Sequence, residues 1–178
     1  MKKLLLILLA ALATLLVVSC AKIIQPNNLG DEPFVDMGLS VKWASCNAGA
    51  DAPQQAGDYY YFSDLHKVKA PTKEQMEELL DNCTRKLAKL GGVKGILLTS
   101  KITGNSIFLP VVGWYWKDDP ELTGTVESRY WTSTSVDESL SNFLYIDITA
   151  SKKEHPGGLR MEVQKQKKEY KCPVRPVQ

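Results

Sequence analysis

Four cysteines, two histidines and two runs of aromatic rings hold the residues of this 178-residue chain most able to do chemistry. A thiol nucleophile needs a neighbouring base or cation to lower its pKa, and the usual base near neutral pH is histidine. His66 sits in Leu65-His66-Lys67 and His155 precedes Pro156-Gly157-Gly158, both far in sequence from any cysteine. No Cys–His or Ser–His–Asp arrangement can be argued from them, so no catalytic residue is expected. No Cys-x-x-Cys pair is present either, which leaves a zinc site unsupported. Neither metal nor cofactor is therefore expected. Recognition by rings is the chemistry that remains. Trp114-Tyr115-Trp116 and Tyr59-Tyr60-Tyr61-Phe62 are the two clusters. Rings stack on sugars, and exposed aromatics on loops tend to serve recognition. In short strands, however, alternate rings face a core. The core reading is preferred for Tyr59 to Phe62, whereas for Trp114, Tyr115 and Trp116 both readings stand, making these three the candidate ligand-binding residues.

The elements that must position these rings are one helix and many short strands. Thr72 is a good N-cap, and Gln75 three residues on completes a capping box. Met76, Leu79, Leu80 and Cys83 then recur with the period of one buried helical face, and Asp81-Asn82 favours an end near Cys83. After Thr84 the period becomes strand-like. Arg85 to Leu90 alternates weakly, Gly91-Gly92 offers a hairpin turn, and Val93 to Thr99 returns. Ile107-Phe108-Leu109 runs into Pro110. Tyr130 to Thr134 and Phe143 to Ile148 are the strongest strand signals, β-branched and aromatic. Leu159 to Val163 and Cys172 to Val177 supply two more, and Phe34 to Met37 and Val41 to Ala44 are strand-like pieces around Gly38. One helix among many strands with long loops predicts an α+β domain.

The N-terminus sets the address. Met1-Lys2-Lys3 precedes an apolar run from Leu4 to Val18, too short to span a bilayer comfortably, and then Ser19-Cys20. Val17-Val18-Ser19-Cys20 resembles a bacterial lipobox, in which the cysteine is acylated and becomes the first mature residue. Residues 1–19 are thus expected to be a lipoprotein signal peptide, and 20–32 the lipidated cysteine and a tether. The domain is expected over 33–178. The chain has 22 basic and 20 acidic side chains; removing Lys2 and Lys3 with the leader leaves 20 of each. A balanced charge argues against a nucleic-acid partner. The lysines at 152, 153, 165, 167, 168 and 171 are interrupted by Glu154, Glu162 and Glu169, and a solvated strand face is the preferred reading. In an exported protein Cys46, Cys83 and Cys172 meet an oxidising compartment, and three thiols leave one unpaired.

The segment Phe34-Val35-Asp36-Met37-Gly38-Leu39-Ser40-Val41-Lys42-Trp43-Ala44-Ser45-Cys46-Asn47 resembles the opening of the FISUMP family, the "Fibrobacter succinogenes major paralogous" domain of Bacteroidetes lipoproteins. Further matches follow in that family's order: Gly57-Asp58-Tyr59-Tyr60, Pro71-Thr72-Lys73-Glu74-Gln75, Leu79-Leu80-Asp81-Asn82-Cys83, then Gly104 to Pro110, Tyr130 to Thr134 and Val174-Arg175-Pro176-Val177. The resemblance implies a C-type-lectin-like fold, with a helix against a twisted antiparallel sheet and the first and last strands close together. The chain departs from the family after Thr84, where a Trp-rich strand is usual and Arg85, Lys86 and Lys89 stand here instead. No aromatic binding surface is expected on that strand.

Within that fold group, formylglycine-generating enzymes use a reactive cysteine pair and copper near the C-terminal strands. Only Cys172 lies there, and a soft-metal site needs more than one such ligand. C-type lectins bind sugar through calcium on a Glu-Pro-Asn or Gln-Pro-Asp loop. Gln25-Pro26-Asn27 is similar but precedes the domain. Asp118-Asp119-Pro120-Glu121 offers hard oxygens in a loop, but too few for calcium, so a solvated turn is preferred. Because Cys46 and Cys83 both lie in family-matching segments, the resemblance implies a Cys46–Cys83 disulfide with Cys172 free; pairing of either with Cys172 stays open.

The expectation is an exported protein, anchored to the membrane through lipid on Cys20 and acting as a non-catalytic binding or adhesion module for a glycan or an envelope protein. The outer membrane is the expected site. Ala21-Lys22-Ile23-Ile24-Gln25 lacks the acids of surface-export signals, which favours its periplasmic face. The alternatives are a structural subunit of a surface assembly such as a pilus, or an uncharacterised enzyme on a formylglycine-generating-type fold.

Overall fold

The computed structural model describes residues 34–178. The leader 1–19, Cys20, the tether 20–32 and Gln25-Pro26-Asn27 lie outside the described residues. Two short strands open the domain, β1 (Phe34–Val35) and β2 (Trp43–Ala44), paired antiparallel with Val35 opposite Trp43. Strand β3 (Tyr60–Tyr61) leads into a 3₁₀ segment, Phe62–Lys67, and then into helix α1 (Lys73–Asn82).

Helix α1 starts where its sequence signals it. Gln75 N–H donates to Thr72 Oγ1 at 3.2 Å, and Thr72 N–H donates to Gln75 Oε1 at 2.8 Å. Such a cap is worth about 1 kcal/mol. Met76, Leu79 and Leu80 bury one face, and Cys83 is already extended, so the chain passes straight into strand β4 (Cys83–Leu90). Gly91 and Gly92 hold φ of +54° and +88°, the left-handed pair a tight hairpin needs, and return the chain along strand β5 (Val93–Ser100). Strand β6 (Ser106–Pro110) completes a sheet ordered β4-β5-β6.

Strand β7 (Tyr115–Trp116) is short. Strands β8 (Glu127–Ser135), β9 (Leu140–Asp147) and β10 (Arg160–Lys167) form a meander ordered β10-β9-β8. Strand β11 (Tyr170–Cys172) then lies between β3 and β7 in a third sheet. The architecture is α+β, with small antiparallel sheets and few helices.

Beyond Cys172 the expected strand to Val177 does not form a ladder, because Pro173 and Pro176 have no N–H to give. The segment is instead stitched between neighbours. Trp131 N–H donates to Pro173 O, Ala48 N–H to Val174 O and Ala44 N–H to Pro176 O. Trp43 bridges Val177, which places the last residues beside the first strands. Arg175 is fully buried there, donating to Ala44 O at 3.0 Å and Phe108 O at 2.7 Å.

The two faces of the β8-β9-β10 sheet serve different clusters. Tyr130, Leu144, Ile146 and Met161 join Met76, Leu79, Ile96, Leu98, Ile107 and Leu109 in the main core. On the opposite face Trp131 and Phe143 pack with Trp114, Cys172 and Val174 in a second cluster. Period-two alternation along each strand makes this division.

Candidate functional site

Strand β7 splits the aromatic triplet as strand geometry demands. Trp114, just before it, is only 6 % exposed and belongs to the second cluster. Of the three rings expected to bind ligand, this one is core. Tyr115 turns the other way and meets Tyr59 edge to face, centroids 4.8 Å apart. Trp116 returns to the Trp114 side and meets Tyr170 of β11 edge to face at 4.5 Å. The triplet therefore forms no common surface.

Two glycines let Trp114 descend. Gly124 holds φ of +88°, and a Cβ there would lie 2.6 Å from the Trp114 ring. Gly113 holds φ of +70° with Thr123 O in the same crowded position, 2.2 Å from any Cβ. Trp114 N–H and Thr123 N–H exchange hydrogen bonds with each other's carbonyls, closing the loop around the ring.

Over Trp114 lies Arg129 of β8, its guanidinium carbon 3.9 Å from the ring centroid, with Tyr170 on a second side at 4.8 Å and Phe143 at 5.5 Å. Its Nη1 donates to Gln166 Oε1 at 2.9 Å. Gln166, itself buried, donates from Nε2 to Cys172 Sγ at 3.4 Å. Burial pushes the Cys172 thiol up to about 12 despite that hydrogen bond, so it stays protonated and inert at neutral pH.

These side chains form one wall of an open groove of about 410 Å³ between strands β7 and β11 and the β8-β9-β10 sheet. Trp116 and Tyr170 rim it, Arg129 and Phe143 floor it, and Gln164 and Gln166 of β10 face them. The rim is fixed at Lys117, which adopts φ of +48° after β7. Its N–H donates to Glu169 O, and its Nζ pairs with Glu169 Oε1 at 3.1 Å. That contact ties the turn carrying Trp116 to the turn carrying Tyr170.

The remaining sequence candidates lie elsewhere. Tyr60 and Phe62 pack against the second cluster, Tyr61 donates its hydroxyl to Asp118, and Tyr59 donates to Val112 O. Asp119 accepts the Glu121 N–H, so the acidic turn satisfies itself. Among the described residues no three His, Cys, Asp or Glu side chains converge on a metal-sized site. His66 is exposed and donates from Nδ1 to Ser63 O at 2.8 Å. Cys46, Cys83 and Cys172 are three separate buried thiols, so the Cys46–Cys83 bridge is not formed in this structure. Cys83 lies in the main core under the helix and Cys172 in the second cluster. Strand β4 presents Arg85, Lys86 and Lys89 to solvent, as charged edge strands commonly do.

Sequence reasoning missed Arg129, Phe143, Gln164, Gln166 and Tyr170 as partners of Trp116. They come from strands far apart in sequence, and only the pairing of β11 beside β7 brings them together. No helix of the described residues is long and apolar enough to cross a membrane. Comparison with protein-family models, curated proteins and solved structures finds no match to this chain.

Proposed function

We propose that this chain is an exported lipoprotein, anchored through Cys20, whose domain is a non-catalytic binding or adhesion module of the cell envelope. The observation that carries the reading is the groove: half-buried Trp116 and Tyr170 rings standing over a floor braced by Arg129. Rings held rigidly at a rim give contact area at little entropic cost, which is what recognition surfaces use. The lining offers rings, amides, aliphatic carbon and one stacked guanidinium, a set suited to holding a ligand. The FISUMP-like motifs and the C-type-lectin-like fold they imply support the same reading. The helix stands against antiparallel sheets, and the Trp43–Val177 bridge brings the two ends of the domain together.

The experiment compares wild type with Trp116→Ala on a glycan array and on isolated envelope fractions. Loss of binding in the variant, with only a small loss of thermal stability, is the expected result. Equal binding by both proteins contradicts the groove as the ligand seat. Cys20→Ala should in parallel release the protein from the membrane fraction and end palmitate labelling, and unchanged labelling contradicts the anchor.

A further inference from the structure

The groove's charge narrows its ligand. The Arg129 guanidinium lines it and no carboxylate does, while Lys165 and Lys167 alternate with Gln164 and Gln166 along β10 and so turn to the other face of the sheet. The nearby acids are already engaged by other cations: Glu169 by Lys117 at 3.1 Å, and Glu162 by Arg160 at 2.6 Å. Arg129 itself has no carboxylate partner among the described residues, and its buried Nε has no hydrogen-bond partner. One amide oxygen, Gln166 Oε1, is the acceptor it does have. A guanidinium is planar and weakly hydrated; it tolerates stacking on rings while keeping its fork for a carboxylate. Arg129 is stacked in this way over Trp114 and beside Tyr170, and with Nε buried and Nη1 given to Gln166 its Nη2 is the donor left for a carboxylate.

We infer that the groove takes an acidic saccharide, a sugar carrying a carboxylate, and this rests on the reading of the groove as the ligand seat. The sugar ring lies on one of the two rim rings, Trp116 or Tyr170, which stand at 65° to each other, and the apolar face of either suits the C–H face of a pyranose. The carboxylate meets Arg129, the cation that stands on the groove's own face of the sheet. Gln164 donates from Nε2 to Glu162 Oε1 at 2.6 Å, which leaves its own carbonyl oxygen to accept a sugar hydroxyl. An acidic peptide would answer the cation but gives the rim ring no flat partner. A neutral sugar would answer the rings and leave Arg129 unmatched.

The test is calorimetric titration of the mature protein in detergent with oligogalacturonic acid, its methyl-esterified form and oligoglutamate. Esterification keeps the rings and removes the charge. The acid is expected to bind, the ester about tenfold or more weakly, consistent with loss of a charge-assisted pair. Raising the salt concentration should weaken the acid several-fold and leave the ester nearly unchanged. Arg129→Lys, which keeps the charge and loses the stacked guanidinium that aims it, should also weaken it. Equal affinity for acid and ester overturns the charge assignment and leaves the groove as the seat of a neutral sugar. Oligoglutamate binding as well as the uronate overturns the saccharide. No heat with either sugar, from a protein that still shows Trp116-dependent binding on the array, overturns the inference but not the proposed function.

Discussion

The Arg129 guanidinium carbon lies 3.9 Å from the centroid of the Trp114 ring, and that contact makes a core residue the foundation of a surface site. Trp114 reaches no ligand itself. It props the cation that floors the groove, while Trp116, two residues on, stands at the rim. A close cation–π contact of this kind is worth about 1–2 kcal/mol when partly desolvated.

Trp114 and Trp116 should therefore separate stability from binding. Trp114→Ala removes a buried ring and should cost about 3–5 kcal/mol. Trp116→Ala removes a half-exposed one and should cost about 1 kcal/mol or less while abolishing binding. Urea denaturation of the two variants checks the first contrast, and ligand titration the second. Similar denaturation midpoints for both variants would contradict the assignment of Trp114 to the core.

Alkaline pH should weaken the fold. Burial raises the Cys172 thiol from 9.0 to about 12 and the Tyr130 phenol from 10.0 to about 12. Both groups keep their protons in the folded state at a pH where the unfolded chain has lost them. Their contribution is full below pH 9 and is lost as pH rises from there towards 12. Each group lowers stability by up to about 1.4 kcal/mol per pH unit inside its own window. Denaturation midpoints should be flat from about pH 7 to 8.5 and fall beyond. Cys172→Ala should make that fall shallower, and an unchanged slope would remove the thiol from the account.

Thiol titration addresses the cysteines directly. With Cys46 2 %, Cys83 3 % and Cys172 0 % exposed, the folded protein should react slowly with a thiol reagent at pH 8. In denaturant without reductant, all three should react. A single reactive thiol would mean a bridge, and only if peptide mapping places the label on Cys172 is it the Cys46–Cys83 bridge that the family resemblance implies.

How much was legible follows from which signals are local. The helix could be read because its cap, its buried stripe and its end all lie within twelve residues of one another, Thr72 to Cys83. The β4–β5 hairpin could be read because Gly91-Gly92 is a backbone requirement written in sequence. The groove could not. Tyr170 sits in a lysine-rich stretch that reads as a solvated face, and its value as a rim residue depends on β11 pairing with β7. The split of Trp114, Tyr115 and Trp116 follows from strand alternation, but which side is core depends on Trp131, Phe143 and Cys172 arriving from elsewhere. Pro173 and Pro176, which have no N–H to give, are the residues in that segment that signal no regular ladder.

Oxidative footprinting of the tryptophans, with and without the best-binding glycan from the array, tests the central claim most directly. Trp43 and Trp131 are fully buried and Trp114 nearly so, which leaves Trp116 as the reactive ring among the described residues. The account predicts that ligand protects Trp116, together with Tyr170, and leaves the other three tryptophans unchanged. A saturating ligand that leaves Trp116 as reactive as in the free protein would contradict it.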